Sequence, residues 1–310
     1  MNKKEFKTLD EQLDIFKSKG LRVVDEEYAK DVLLMENYFF INGYRYMFMK
    51  SNKDKRFISN ATFEELHAMF LFDRNLRNIL FKNLLIIENN VKSIISYQLS
   101  KKYGYREKDY LKASNFTTDN KEQRRVADVI NKMKRQIRTN GAKHTATYHY
   151  INNYGYVPLW ILVKVLSFGL INELYGILKP EDRLVIAEYY NLDIESLEIY
   201  LALLSNYRNL CAHEDIVFDH KSQRQLPDNR FHIMLKIDET DGEYIYGKND
   251  IFGLVIILKQ MLKEDKFEEM LLEIENEFNK FDNKVNSIPI GKLYDKMGFP
   301  RNYKDILNIN

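Results

Sequence analysis

The clearest pattern in this sequence is a helical one. From Phe63 to about Lys102, Leu76, Leu80, Leu84, Ile87, Val91 and Ile95 recur at spacings of three and four. That is the period of a buried helix face. Thr62-Phe63-Glu64-Glu65 has the form of a capping box at its start, and Gly104 is a stop. Thr8–Glu11 repeats the same signal, predicting a helix over 9–19, and a second helix is expected over 26–40. Further helices are predicted from Thr118-Asp119 to about Thr139, over 158–178 after Pro158, over 180–190 after Pro180, and over 194–213 with Asp193 as N-cap. From Glu214 to Lys248 the pattern weakens. There, Phe231–Ile237 and Glu243–Tyr246 flank Asp238–Gly242, the signature of a small hairpin or an ordered loop. Helices resume over 249–264 and 266–284, and Pro289 and Pro300 bracket a terminal turn.

Composition sharpens this picture. Only 12 glycines and 5 prolines interrupt 310 residues, which favours long helices over the frequent turns of a sandwich or barrel. The expected fold is all-α: a helical bundle with extra N- and C-terminal helices and a small loop or hairpin insertion. No internal repeat or low-complexity linker divides the chain. The expected organisation is a helical body over 1–213, an insertion or lid over 214–248, and helices over 249–310 packed on the same body.

The net charge of +2 announces no phosphate partner by itself, so local patches must supply that evidence. One lies on the helix near 119–143, where Arg124, Arg125, Lys132, Arg135 and Arg138 join Lys121, Lys134 and Lys143 against Asp119, Glu122 and Asp128. Such a stripe could follow an RNA backbone or simply form a solvated face. The 21 Tyr and 19 Phe are mostly core, with some available for stacking on bases. The single cysteine, Cys211, permits no internal disulfide. With a charged N-terminal stretch and no apolar run of membrane-spanning length, the expected location is the cytoplasm, with no membrane partner.

The segment Tyr207-Arg208-Asn209-Leu210-Cys211-Ala212-His213-Glu214 carries the candidate chemistry. It ends a predicted helix just before the irregular region. Asn209 and His213, four apart, share a face, whereas Arg208 lies about 140° round from His213. An imidazole, an amide and a permanent cation are the parts needed to cleave RNA. The 2′-hydroxyl loses a proton to a base, the phosphorane-like state needs positive charge, and the departing 5′-oxygen gains a proton from an acid. One histidine cannot be acid and base at once, so a second copy from a partner subunit, in a homodimer with a composite site, is expected. An Arg and His at this spacing also arise in ordinary capped helix ends, where the dipole favours His.

The form Arg208-Asn209-x-x-Ala212-His213 resembles the motif of the HEPN superfamily. Three more segments resemble its Abi family, the AbiD/AbiF-like proteins of phage abortive infection: Asn37–Tyr44, Phe72–Arg77 with Ile87-Glu88 downstream, and Pro158-Leu159-Trp160 with Leu166–Gly169. The resemblance covers roughly 20–220. It implies a metal-independent endoribonuclease without a cofactor, an RNA substrate, a role in phage defence or as a toxin, and in some relatives a small noncoding partner RNA. It places the chemistry on Arg208, Asn209 and His213, and gives Glu88 a supporting place as a partner that orients Arg208. The sequence departs from many relatives in following His213 with Glu214-Asp215, whose charges oppose a phosphate unless they turn away. That departure favours an alternative, a non-catalytic RNA-binding scaffold. A nucleotide-modifying partner role rests on analogy alone.

Other histidines carry weaker signals. His144 and His149 lack nearby ligands at metal spacing, His67 reads as structural, and His220 could join the cleft. There is no Gly-rich phosphate loop, Cys-x-x-Cys pair or Gly-x-Ser-x-Gly elbow. Cys211 reads as a packed small residue rather than a nucleophile.

Overall fold

In a computed structural model that describes residues 5–51 and 53–309, the chain is all-α. Residues 1–4 of the expected first body lie outside the described residues. The fold is organised by one helix, α4 (Phe63–Tyr103), preceded by α1 (Leu9–Ser18), α2 (Glu26–Glu36) and α3 (Tyr38–Gly43). After it come α5 (Glu107–Tyr110), α6 (Gln123–Asn140), α7 (Thr145–Tyr154), α8 (Leu159–Val165), α9 (Phe168–Ile177) and α10 (Pro180–Glu188). The motif helix α11 (Ile194–Ala212) and short α12 (Arg230–Met234) lead to β1 (Glu239–Thr240) and β2 (Glu243–Tyr244). The chain continues through α13 (Ile251–Met261), α14 (Glu264–Lys284) and α15 (Ile290–Met297).

The length of α4 has local causes. Thr62 and Glu65 complete a reciprocal capping box, and Gly104, at φ 92°, ends the helix in a conformation that other residues resist. Along it Leu76, Leu80, Leu84, Ile87, Val91 and Ile95 are fully buried, each burial favouring the fold by about 1.5–3 kcal/mol. Helices α8, α11 and α14 pack around it. Glu65 also ties a distant segment to this helix. Its Oε2 caps Thr62, while Oε1 accepts the backbone N–H groups of Asn286 (2.7 Å) and Ser287 (2.9 Å).

Several boundaries differ from the periodic reading. The helix expected over 26–40 breaks at Asn37, which takes φ 67° and caps α3 by accepting the Phe39 N–H. The helix expected over 158–178 is two, because Leu166 is extended and the Ser167 hydroxyl caps α9 through the Leu170 N–H. Pro158 stands as the N-cap of α8 rather than inside its first turn. Thr117 and Asp119 fold into side-chain-bonded turns, so α6 starts at Gln123. The run Phe231–Met234 is helical, with Asn229 and His232 forming a capping box and Leu235 as C-cap, and the hairpin is confined to residues 239–244. Segment 214–248 contributes Val217, Phe218, Leu226 and Phe231 to the same buried cluster as the helices.

Candidate functional site

Helix α11 is capped by Asp193, whose carboxylate accepts the Ser196 N–H (2.7 Å), and it packs between α4 and α9. Its buried residues, including Leu197, Leu201, Leu204 and Cys211, fix its rotation. That rotation turns Arg208 toward α4. The Arg208 Nε donates to Glu88 Oε2 (3.0 Å), and the guanidinium lies 5.7 Å from the centre of the Phe81 ring. The other Glu88 oxygen accepts from Lys92 Nζ (2.7 Å). Glu88 is 3% exposed and Lys92 8%, so this is a buried Lys–Glu–Arg chain, and Arg208 is its solvent-facing end. Among the described residues the two terminal nitrogens of Arg208 donate to nothing, which leaves the fork open to an incoming anion.

Lys92 and Phe81 were not singled out from sequence. Lys92 was readable, standing four residues after Glu88 on one helix face. Substituting Glu88→Gln keeps the shape and one acceptor but removes the charge between two cations. The expected loss of stability is about 1–3 kcal/mol, measured by urea denaturation; an unchanged midpoint would mean that the ion chain contributes nothing.

Asn209 and His213 take the other face. Both are exposed, and among the described residues neither side chain makes a hydrogen bond. Asn206 shares their face, and its amide oxygen lies 3.0 Å from His220 Nε2, whose ring stands edge-on to Tyr207 at 5.3 Å. Within one chain, Arg208 and Glu88 are thus brought together. Asn209 and His213 sit beside them on the helix but point elsewhere, with a second imidazole, His220, nearby on their face. Burial lowers the His220 pKa below its ordinary value. Cys211 is buried against the core, and burial pushes its thiol up to about 12, which suits packing rather than attack.

The chain leaves α11 through a tight reversal. His213 is the C-cap, Glu214 takes the left-handed φ of 58°, and Asp215 N–H returns to the Leu210 carbonyl (3.1 Å). This is a Schellman ending with Glu214 where glycine is usual. Glu214→Gly is expected to stabilise the protein by about 0.5–1 kcal/mol, the relief of the left-handed penalty less the unfolded-chain entropy of glycine. Thermal denaturation checks it, and a lower Tm would contradict the assignment of strain.

Asp73 holds the segment that follows. Its buried carboxylate accepts the backbone N–H groups of Val217 (3.2 Å) and Phe218 (2.8 Å), the Tyr44 hydroxyl (2.7 Å) and the Arg77 guanidinium. Arg77 also reaches the Asp215 carbonyl (3.3 Å). Residues from two of the three resembling segments, Tyr44 with Asp73 and Arg77, therefore meet under the end of the motif. The third segment reaches α11 at Gly169, where a Cβ would lie 3.6 Å from Ser205 Oγ. Glu214 and Asp215 line a cavity of about 690 Å³ together with Arg74, Arg77 and the aromatic residues Phe39, Phe40 and Tyr46. The Glu214 charge acts on Arg74, which also pairs with Glu36, whereas the Asp215 charge acts on His220 and so stays on the side of the motif.

The basic stripe on α6 is partly committed. Lys132 pairs with Asp128 (2.9 Å) and Glu173 (2.7 Å), and Arg125 pairs with Glu122 (3.2 Å) and packs on Gly176. Arg124, Arg135 and Arg138 are exposed and, among the described residues, make no ion pair. Arg135 and Lys132 line a cavity of about 390 Å³ that includes Ser167 and Gly169, next to α11, whereas Arg138 faces a different one.

The remaining histidines have local partners. His144 caps α7, His149 bonds Asn153 (2.9 Å), and His67 Nδ1 meets the Tyr28 hydroxyl (2.6 Å). Among the described residues no group of three or more His, Cys, Asp or Glu is arranged to hold a metal ion, and no helix is long and apolar enough to cross a membrane.

Comparison with known proteins gives one family. The model of a family described as Abi-like protein matches residues 31–219, more than half of the chain, from α2 to just past the motif. No curated protein and no solved structure matches.

Proposed function

The chain belongs to the Abi-like protein family, and from that premise we propose that it is a metal-independent endoribonuclease of HEPN type, acting in phage abortive infection or as a toxin. The observation that supports this most is the state of Arg208: its Nε is held by buried Glu88 while, among the described residues, its outer nitrogens donate to nothing, and about 1.4 turns away stands an exposed His213 whose side chain bonds to no described residue. Arg208 grips the phosphate and neutralises the charge that builds on it. His213 removes the 2′-hydroxyl proton or protonates the 5′-oxygen. As the 2′-oxygen–phosphorus bond forms and the phosphorus–5′-oxygen bond breaks, the products are a 2′,3′-cyclic phosphate and a 5′-hydroxyl. Asn209, on the face of His213, orients the imidazole or the phosphate. Glu88 positions Arg208 and does not touch the substrate.

The orientation of the motif supports a homodimer. Arg208 and His213 leave one helix about 140° apart, so a partner copy that lays its own α11 alongside brings the Arg of each chain toward the His of the other. Both proton-transfer roles are then filled. No cofactor is required by this chemistry, and a small partner RNA remains compatible with it.

Incubating the protein with total cellular RNA in the presence of EDTA tests the reading. Cleavage that leaves cyclic phosphate termini, and that is absent from Arg208→Ala and His213→Ala, is the expected result. Cleavage abolished by EDTA would overturn the metal-independent mechanism. RNA binding by the wild type that survives His213→Ala, with no cleavage, would replace it with the scaffold alternative.

A further inference from the structure

One surface of the molecule is built of rings. Trp160, at the start of α8, lies 5.9 Å from the Tyr105 ring, and Tyr105 lies 5.7 Å from Tyr156. Tyr156 continues to Tyr154 (6.3 Å), which meets Tyr150 (5.3 Å) and His149 (5.9 Å) on α7. These six rings form an unbroken series across three chain segments. They are not core: Tyr154 is 57% exposed, Trp160 43% and Tyr105 41%. Arg106 lies over two of the rings, 5.8 Å from Tyr105 and 5.1 Å from Tyr156. Apart from Arg106, the run stays open to solvent along Tyr154, Trp160 and Tyr105.

Beside this run lies a cavity of about 420 Å³ lined by Lys108, Lys112, Lys134 and Arg138 with Glu107 and apolar Leu111 and Ile137. The one carboxylate among these residues, Glu107, is committed to the Val157 N–H. Lys112 pairs with Asp109 at 3.5 Å, and among the described residues Lys108, Lys134 and Arg138 have no ion pair. The two features are continuous in the chain: Tyr105 and Arg106 run directly into Glu107, and Tyr156 runs into Val157. Rings accept the faces of bases and unpaired cations accept phosphates, and a polymer offering both along one strand is single-stranded nucleic acid. A duplex hides its base faces and fits only the cations.

We propose that the series from Trp160 through Tyr105 and Tyr156 to Tyr154 and Tyr150, with the adjoining Lys134 and Arg138 cavity, is a stacking platform that holds single-stranded RNA. That the strand is RNA rests on the nuclease reading. The platform lies beyond the end of α4, about 22 Å along that helix from Glu88, so it anchors a strand away from the point of cleavage. Recognition by stacking tolerates any base, so the platform favours unpaired structure rather than sequence.

The chain has one tryptophan, and it belongs to the platform, so its emission reports occupancy directly. The probe is a short single-stranded 2′-O-methyl oligonucleotide of mixed sequence, which lacks the hydroxyl that cleavage needs. Saturable quenching of Trp160 is expected, with affinity weakened roughly tenfold to a hundredfold by Tyr156→Ala or by the more exposed Tyr154→Ala. Lys134→Ala and Arg138→Ala are each expected to weaken binding and to flatten its salt dependence. Equal affinity for a blunt duplex overturns the proposal, as does unchanged affinity in a folded Tyr154→Ala. Emission that follows protein concentration alone, with self-association in sedimentation, assigns the rings to an interface between copies and also overturns it. Because the probe cannot be cut, cleavage without this binding removes the platform and leaves the nuclease, and binding without cleavage does the reverse.

Discussion

If the proposed nuclease chemistry holds, replacing His213 with alanine is expected to lower the rate of RNA cleavage by about 10²–10⁴-fold, the range that one general acid or base supplies. The same change leaves the fold nearly intact. His213 is exposed, its side chain bonds to nothing among the described residues, and its backbone alone closes the helix through the Asn209 carbonyl. The cost is confined to the helix dipole, about 0.3–1 kcal/mol when the ring is charged. Arg208 behaves differently, because Arg208→Ala also strips a partner from buried Glu88. Arg208→Lys is the cleaner variant: it keeps a cation but loses the planar fork, so the proposed activity is expected to fall while most of the stability is retained. Initial rates on a defined RNA, read beside thermal melts of each variant, separate the two effects. A His213→Ala protein that cleaves at the wild-type rate would remove the imidazole from the mechanism.

Asp73→Ala is expected to cost about 3–5 kcal/mol, since it leaves the Arg77 cation buried without its counter-charge, and two backbone N–H groups lose their acceptor. Against a typical total of about 5–15 kcal/mol, a protein so changed is marginal at best. A urea midpoint close to that of the wild type would show that the network is dispensable. The same carboxyl makes a pH signature. Burial pushes the Asp73 pKa up to about 6, so the folded chain holds this proton more tightly than the unfolded one. The extra stability that this tighter proton binding adds is fully present below about pH 4 and is lost as pH rises through about 6, while the carboxylate's hydrogen bonds to Val217 and Phe218 and its pairing with Arg77 remain. Burial holds His67, His220 and His232 low, which produces the opposite slope. Comparing wild type with Asp73→Asn at pH 4 and pH 7 isolates the carboxyl: the wild type loses more stability across that interval than the variant. A variant with an unaltered pH profile would mean that Asp73 does not titrate there.

What the sequence made legible follows from the range of the forces involved. Helix α4 was readable because its cap, its apolar period and its stop are all local, and each points the same way. The breaks at Asn37 and Ser167 were not, because apolar spacing continues on both sides and one capping side chain decides the matter. The run at 231–234 is too short for periodicity to separate helix from strand, and the Asn229–His232 box was the discriminating signal. Helix α7 carries tyrosines where an apolar stripe would stand, so its ring series emerges only when Tyr105 and Trp160 arrive from other segments. At the motif, the place of Glu88 came from family resemblance. The hold of Asp73 on Val217, across 144 residues, has no local trace.

The long reach of Glu65 sets a timetable for the ribosome. Helix α4 is complete once Tyr103 has emerged, yet α14, which packs along it, begins at Glu264, and the amides that Glu65 holds come at Asn286 and Ser287. At elongation speeds of about 5–20 residues per second, roughly 10–30 s separate the helix from its cover. Throughout that interval a nascent chain carries the α14-facing flank of α4 uncovered, and over about its last third the Arg208 motif is already synthesised. A chaperone or early ligand has its opening then, before the finished body closes over the helix.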